Sequence, residues 1–227
     1  MEERKPLPAP GRITAMTFQK RTLERVNLFI DGDFAMGIPA IEAARLKIGQ
    51  MLEMADIERL ALLDTESRAY DRAVKFLSYR PRSVAEVRRY LLNKKIDELV
   101  SEKIVSRLTD LQYLDDKEFA RWWIENRTEF SPRGAYAIRQ ELRVKGVSDT
   151  IIAEAIERHL PDAKEPLEKL ARRRVPRLSN EDQYSFKRKL SAFLQRRGFS
   201  YEDIGPVIDS LWNEMESGRT EDSVSTD

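Results

Sequence analysis

The sequence predicts a mainly α-helical chain: three tandem three-helix repeats forming an elongated, curved array, preceded by a small α+β module that contains an antiparallel sheet. Three observations carry this. Period-two alternation is confined to the first forty residues, apolar residues recur at spacings of three and four from about Arg68 to Met215, and the helical part matches itself at offsets of 51 and 52 residues.

Residues 1–11 are polar, hold three prolines, and are expected to form a disordered lead. An N-terminal module follows over 12–64. Ile13, Ala15 and Thr17, then Val26, Leu28 and Ile30, alternate as in strands with one buried face. Asp31-Gly32-Asp33 contains the Asp-Gly pair that supplies positive φ in a tight hairpin, and Phe34–Ile38 reads as a third strand, giving about three strands. Pro39 opens a short helix to about Arg45, the stretch from Leu46 to Gln50 breaks it, and Met54–Leu63 is amphipathic and helical. Asp64-Thr65-Glu66-Ser67 reads as a hinge and a new helix start.

From there the pattern is helical throughout, with repeats at 65–112, 113–160 and 161–216. Val87, Arg88, Leu91 and Lys94 fall over Ile138, Arg139, Leu142 and Lys145. Leu190, Leu194, Arg197, Gly198 and Phe199 fall over Ile138, Leu142, Lys145, Gly146 and Val147. Gly146 and Gly198 stand just past a helix end, where a left-handed residue is common. Lys95 holds that position in the first copy, so a less regular turn is expected there. A three-helix unit buries little surface alone, so neighbouring units are expected to pack on one another and present one long face suited to an extended partner. The end of the chain, 217–227, is small, polar and acidic and is expected to be a disordered tail, a bystander or a mimic of DNA phosphate that folds back on the third repeat.

With no cysteine and a single His159, thiolate chemistry and an imidazole cluster are excluded, and no nucleophile-base pair or metal cluster is apparent. No enzymatic activity, cofactor or metal is expected. The N-terminus lacks the apolar run of a signal peptide and nothing approaches the ~18 apolar residues of a membrane span, so a cytoplasmic protein with no membrane contact is expected. His159 reads as a helix C-terminal residue favoured by the dipole. A monomer is the expected state.

At the junction of the first and second repeats stand Tyr113-Leu114-Asp115-Asp116, Phe119-Ala120, Arg127, Gly134, Ile138, Leu142 and Lys145-Gly146-Val147. This ordered run closely resembles the central signature of the RecX family, bacterial regulators of the RecA recombinase. The resemblance implies a protein that binds the RecA nucleoprotein filament along its groove and lowers ATP hydrolysis and strand exchange in homologous recombination and DNA repair. The N-terminal module lies outside that signature, and its expected role is docking or orientation. Physically the signature reads as structural: Leu114 and Phe119 are apolar anchors, Asp115 or Asp116 caps the helix starting near Lys117, and Ala120 permits close packing. The alternative for the Asp-Asp pair is a metal or acid-base role.

Candidates for the binding surface are basic. Residues 171–197 hold Arg172, Arg173, Arg174, Arg177, Lys187, Arg188, Lys189, Arg196 and Arg197 against Glu181 and Asp182, a surplus of seven positive charges. In the second repeat Arg139 and Arg143 share a helix face, flanked by Arg133 and Lys145. The first repeat offers Arg82, Arg88, Arg89, Lys94 and Lys95. The competing reading is a solvated, charge-balanced helix surface. Trp122 and Trp123 read as one core ring and one packed on the adjoining unit, with base stacking the alternative; Tyr79, Tyr90, Phe130 and Tyr136 read as packing residues. A second function class, direct, weak and nonspecific binding of single- or double-stranded DNA of helix-turn-helix type, remains compatible with this pattern.

Overall fold

The structure is a computed structural model that describes residues 6–20 and 22–224, with side chains up to Ser217. The first five residues of the expected lead at 1–11 and the last three residues of the expected tail lie outside the described residues.

Strands β1 (Gly11–Gln19), β2 (Thr22–Ile30) and β3 (Asp33–Pro39) form where the period-two alternation places them. They pair antiparallel, with Met16 opposite Leu28 and Leu28 opposite Met36. Asp31 and Gly32 both take positive φ, 49° and 93°, the requirement of a tight hairpin whose twist matches its strands. A fourth strand, β4 (Met51–Leu52), was not expected. It pairs with Gly11 and Arg12 at the free edge of β1, giving the order β3-β2-β1-β4. Two residues are too few to show alternation, so the pairing is a tertiary effect. Between β3 and β4 lies the short helix α1 (Ala40–Ala43).

Helix α2 (Met54–Leu77) runs unbroken through Asp64–Ser67, in place of the expected hinge. Neither Pro nor Gly interrupts it, and the polar residues there have partners. Asp64 forms ion pairs with Arg25 of β2 and with Arg68, while Glu66 meets Lys103 at 2.6 Å. The run reads as a linker by composition but works as a set of ties. Buried Ile13, Val26, Leu28, Ile30, Ile38 and Leu52 from the sheet pack with Ile57 and Leu60 of α2.

The remaining helices are α3 (Val84–Asn93), α4 (Glu98–Asp110), α5 (Asp116–Phe130), α6 (Ala135–Val144), α7 (Asp149–His159), α8 (Lys164–Arg172), α9 (Gln183–Arg196) and α10 (Tyr201–Val224), with a 3-10 turn at Val175–Arg177. Helix α10 continues past Ser217 to Val224, over residues expected to belong to a disordered tail. No proline follows Pro206 to stop it. The chain divides into two compact units. One comprises the residues up to Arg80 together with Arg88–Asp110, the other Pro81–Val87 together with Leu111 onward.

The self-similarity has its counterpart in the cores. Val87 and Leu91, Ile138 and Leu142, Leu190 and Leu194 are the equivalent pairs of α3, α6 and α9, and all six are fully buried. In the second repeat Ile138 and Leu142 join Phe119, Ala120, Ile124 and Ile152. In the third, Leu190 and Leu194 join Leu167, Phe186, Ile204 and Trp212. Each second helix ends in the same turn, in which the amide two residues beyond the last carbonyl reaches back into the final helical turn: Ile96 N to Leu91 O at 3.2 Å, Val147 N to Leu142 O at 3.1 Å, Phe199 N to Leu194 O at 3.4 Å. The left-handed residue is Lys95 (φ 58°), Gly146 (φ 83°) or Gly198 (φ 83°). The first turn is therefore as regular as the others, contrary to expectation.

Candidate functional site

Within the second unit, the start of one repeat's second helix meets the turn that ends the next repeat's second helix. Ser83, just before α3, is fully buried and donates its hydroxyl to the carbonyl of Lys145 at 2.6 Å. Gly134, its counterpart before α6, donates its backbone N–H to the carbonyl of Arg197 at 2.9 Å. The two acceptors are themselves counterparts, so one joint is built twice by different donors.

This joint explains the glycines better than φ alone. A Cβ on Gly146 would overlap the Cβ of Ala85, and one on Gly198 would overlap Ala137. A Cβ on Gly134 would run into the carbonyl of Gly198. Lys95 occupies the same backbone conformation with an exposed side chain. A lysine enters the left-handed region at about 1–2 kcal/mol, a tolerable cost where its side chain stands in solvent.

The Asp-Asp pair belongs to the same construction. Asp115 caps α5, accepting from Lys117 N at 2.7 Å and Glu118 N at 3.4 Å. Asp116 does not share that task; its Oδ1 accepts from Val84 N at 2.9 Å and caps α3 of the preceding repeat. Two adjacent carboxylates thus hold two helix N-termini, where backbone amides and dipole favour negative charge. Among the described residues there is no group of three or more His, Cys, Asp and Glu that would hold a metal ion.

Lys145 lies inside this joint. Its ammonium contacts Glu86 at 2.8 Å and stands 5.1 Å from the centre of the Trp123 ring. Trp123 donates its indole N–H to Glu141 at 2.8 Å, and Glu141 also accepts from Arg127 at 2.7 Å and lies 3.6 Å from Arg133. Arg127 stacks over the same indole. Of the candidates in the second repeat, Lys145 and Arg133 are thus engaged inside the protein. Arg143 pairs with Asp149 at 2.6 Å, and that hydrogen bond holds the Asp149 carboxyl below its ordinary range. Arg139 is half-buried.

Trp122 and Trp123 are both half-buried and flank Phe119 at 6.1 and 5.9 Å, so neither is a core ring in the expected sense. Tyr90 packs as expected, its ring stacked on Phe76 at 4.1 Å. Tyr79, Phe130 and Tyr136, expected to pack, are exposed. Tyr136 precedes Ile138 by two residues, which turns it about 200° away from the buried stripe of α6.

In the third repeat the positive surplus of 171–197 is reduced by carboxylates outside that window. Arg172 is bound by Glu214 at 2.6 Å and Glu168 at 2.8 Å, and Lys187 by Asp209 at 2.6 Å. The hydrogen bonds that Arg172 donates to Glu214, then to Glu168, raise its pKa, and the bond it donates to Glu214 lowers the pKa of that carboxyl. Lys189 pairs with Glu181. Arg174 and Arg197 each stand 5.5 Å from the Phe193 ring centre, and Arg188 lies over Tyr184. Arg173, Arg177 and Arg196 are exposed and have no ion pair among the described residues. A linear charge count missed Glu214 and Asp209 because only the packing of α10 brings them to Arg172 and Lys187, and missed Glu168 because it lies one helical turn before the counted stretch.

Four RecX family descriptions match the chain: the regulatory protein RecX N-terminal domain over residues 11–53, and the RecX first, second and third three-helix domains over 69–108, 115–156 and 165–208. The regulatory protein RecX of Bacillus pumilus is 30% identical over 219 residues, covering 93% of this chain and 82% of its own. That of Bacillus subtilis is 32% identical over 206 residues, covering 88% and 76%. A crystal structure of a regulatory protein RecX superposes with a TM-score of 0.73 at 27% identity, over 87% of this chain and 98% of the other. RecX from Lactobacillus salivarius gives 0.60 at 29% identity, over 65% and 97%. With homologous N-terminal and three-helix domains in the same order, the chain belongs to the RecX family of regulatory proteins.

Proposed function

We propose that this protein binds the RecA–DNA filament in the cytoplasm and lowers its recombinase and ATPase activities, as a regulator without catalytic activity of its own. The observation that carries this reading is its membership in a family of regulatory proteins, with identity spread over most of the chain. The joint geometry supports it. Within the second unit, the links Ser83–Lys145 and Gly134–Arg197 hold the second and third repeats' outer side chains at fixed relative positions, as a surface tracking a repetitive partner requires. Arg173, Arg177 and Arg196 are the leading candidates for contact in the third repeat, and Arg139 in the second. Arg133 and Lys145 act by holding the joint. The N-terminal module serves as a docking or orienting accessory, and the protein works as a monomer.

The test is co-sedimentation with RecA on single-stranded DNA, beside DNA alone. Stronger pelleting with RecA-coated DNA than with bare DNA supports the reading; equal pelleting with bare DNA transfers the role to the DNA. Replacing Arg173, Arg177 and Arg196 by Glu weakens filament binding and flattens its dependence on salt. Unchanged binding across a salt series contradicts that assignment.

A further inference from the structure

Along α2 and its C-terminal end, Arg72, Lys75, Phe76 and Tyr79 follow one another at the spacing of a single helix face. At the end of α3, Tyr90 and Lys94 are likewise four apart. The two faces converge in the first unit, where Phe76 and Tyr90 stack with an interplanar angle of 4°. Around this pair opens a cleft of about 540 Å³ lined by Arg72, Lys75, Phe76, Tyr79, Tyr90 and Lys94. Among the described residues no carboxylate lines it.

That separates this cleft from the basic residues elsewhere that are paired with carboxylates. Arg172, Lys187 and Lys189 are neutralised by neighbouring carboxylates, and Lys145 by Glu86. Arg72, Lys75 and Lys94 are exposed, and none has an ion pair among the described residues. Three cations around a concave wall focus positive potential into it. Tyr79 stands at the rim, 71% exposed, beside those cations.

We propose that this cleft is a binding site for single-stranded nucleic acid, with Arg72, Lys75 and Lys94 holding successive phosphates and Tyr79 stacking on a base. An acidic peptide would use the cations and leave the tyrosine idle. A duplex keeps its bases stacked on each other, out of reach of an aromatic ring at the surface. A single strand uses both features, and its recognition through stacking and charge is indifferent to sequence. The site uses none of the residues of the family signature and none of those assigned above to the filament. It needs no recombinase.

The test uses the full chain and a fluorescein-labelled oligodeoxythymidylate, with fluorescence anisotropy read over a salt series in the absence of recombinase. All the substituted side chains are exposed, and circular dichroism checks that each variant is folded. In the double variant Lys75→Gln, Lys94→Gln the slope of log affinity against log salt becomes shallower by about 1.4, at about 0.7 for each phosphate left without its cation. Tyr79→Ala lowers affinity about 5- to 150-fold for the oligonucleotide and leaves binding of an abasic strand of equal length unchanged. Variants that match the wild type in slope and affinity overturn the proposal. So does equal weakening by Tyr79→Ala on abasic and normal strands. Variants that keep strand binding but lose RecA-dependent pelleting would make the cleft a protein contact, overturning this site while leaving the regulatory reading intact.

Discussion

Gly198→Ala separates the two reasons for a glycine at the repeat turns. The backbone term follows from φ of 83°: an L-residue in the left-handed region costs about 1–2 kcal/mol. The packing term follows from the overlap of the new methyl with Ala137, where the neighbouring helix start must shift; overpacking of this kind costs about 1–3 kcal/mol. Together they predict a loss of about 2–5 kcal/mol. Gly32→Ala is the control, because Gly32 has φ of 93° but nothing within 4 Å of where the new methyl would stand, so only the backbone term applies, about 1–2 kcal/mol. Trp122, Trp123 and Trp212 all lie in the second unit, so tryptophan fluorescence under urea follows Gly198→Ala, while far-ultraviolet circular dichroism follows both variants. If Gly198→Ala costs no more than Gly32→Ala, the glycine is there for backbone conformation alone and the joint is not the constraint.

Lys95→Gly relieves a left-handed lysine but adds freedom to the unfolded chain, so urea unfolding is expected to show a change within about 1 kcal/mol of neutral; a large loss would mean that the lysine side chain is structurally engaged. Asp115→Ala and Asp116→Ala each remove a cap, worth about 0.5–2 kcal/mol, from different helices, and amide exchange should rise at the start of α5 in the first variant and at the start of α3 in the second. Exchange rising at the same helix in both would contradict the division of labour. Hydrogen bonds from Arg88 and Arg172 lower the pKa of Glu102 and Glu214, so their contribution to stability is present above the ordinary value of 4.5 and lost as pH falls through the lowered native values. Glu214→Gln should remove part of that acid sensitivity in a series of urea midpoints, and an unchanged acid limb would show that these pairs contribute nothing to it.

The fold was legible where the signal is local and periodic. Val87, Leu91, Ile138, Leu142, Leu190 and Leu194 announce their burial by spacing, and Asp31-Gly32 announces its hairpin through backbone chemistry. What escaped depends on contacts distant in sequence. Strand β4 exists because β1 has a free edge, and Asp64–Ser67 stays helical because Arg25 and Lys103 meet its carboxylates. At the candidate site, the basic stretch of the third repeat was readable but its neutralisation by Glu168, Asp209 and Glu214 was not, since those residues lie on other helices or outside the stretch. Asp116 was readable as a cap, yet the helix it caps begins 32 residues earlier. The cations of α2 at Arg72 and Lys75 carry a regular spacing, and only the packing of α3 against α2 shows that Lys94 joins them in one cleft.

The proposed regulation of the recombinase is tested most directly by following ATP hydrolysis by RecA on single-stranded DNA while this protein is added. The rate is expected to fall as the protein is titrated in, with a weaker effect from the variant in which Arg173, Arg177 and Arg196 are replaced by Glu. A rate that stays constant up to concentrations exceeding that of RecA would contradict it.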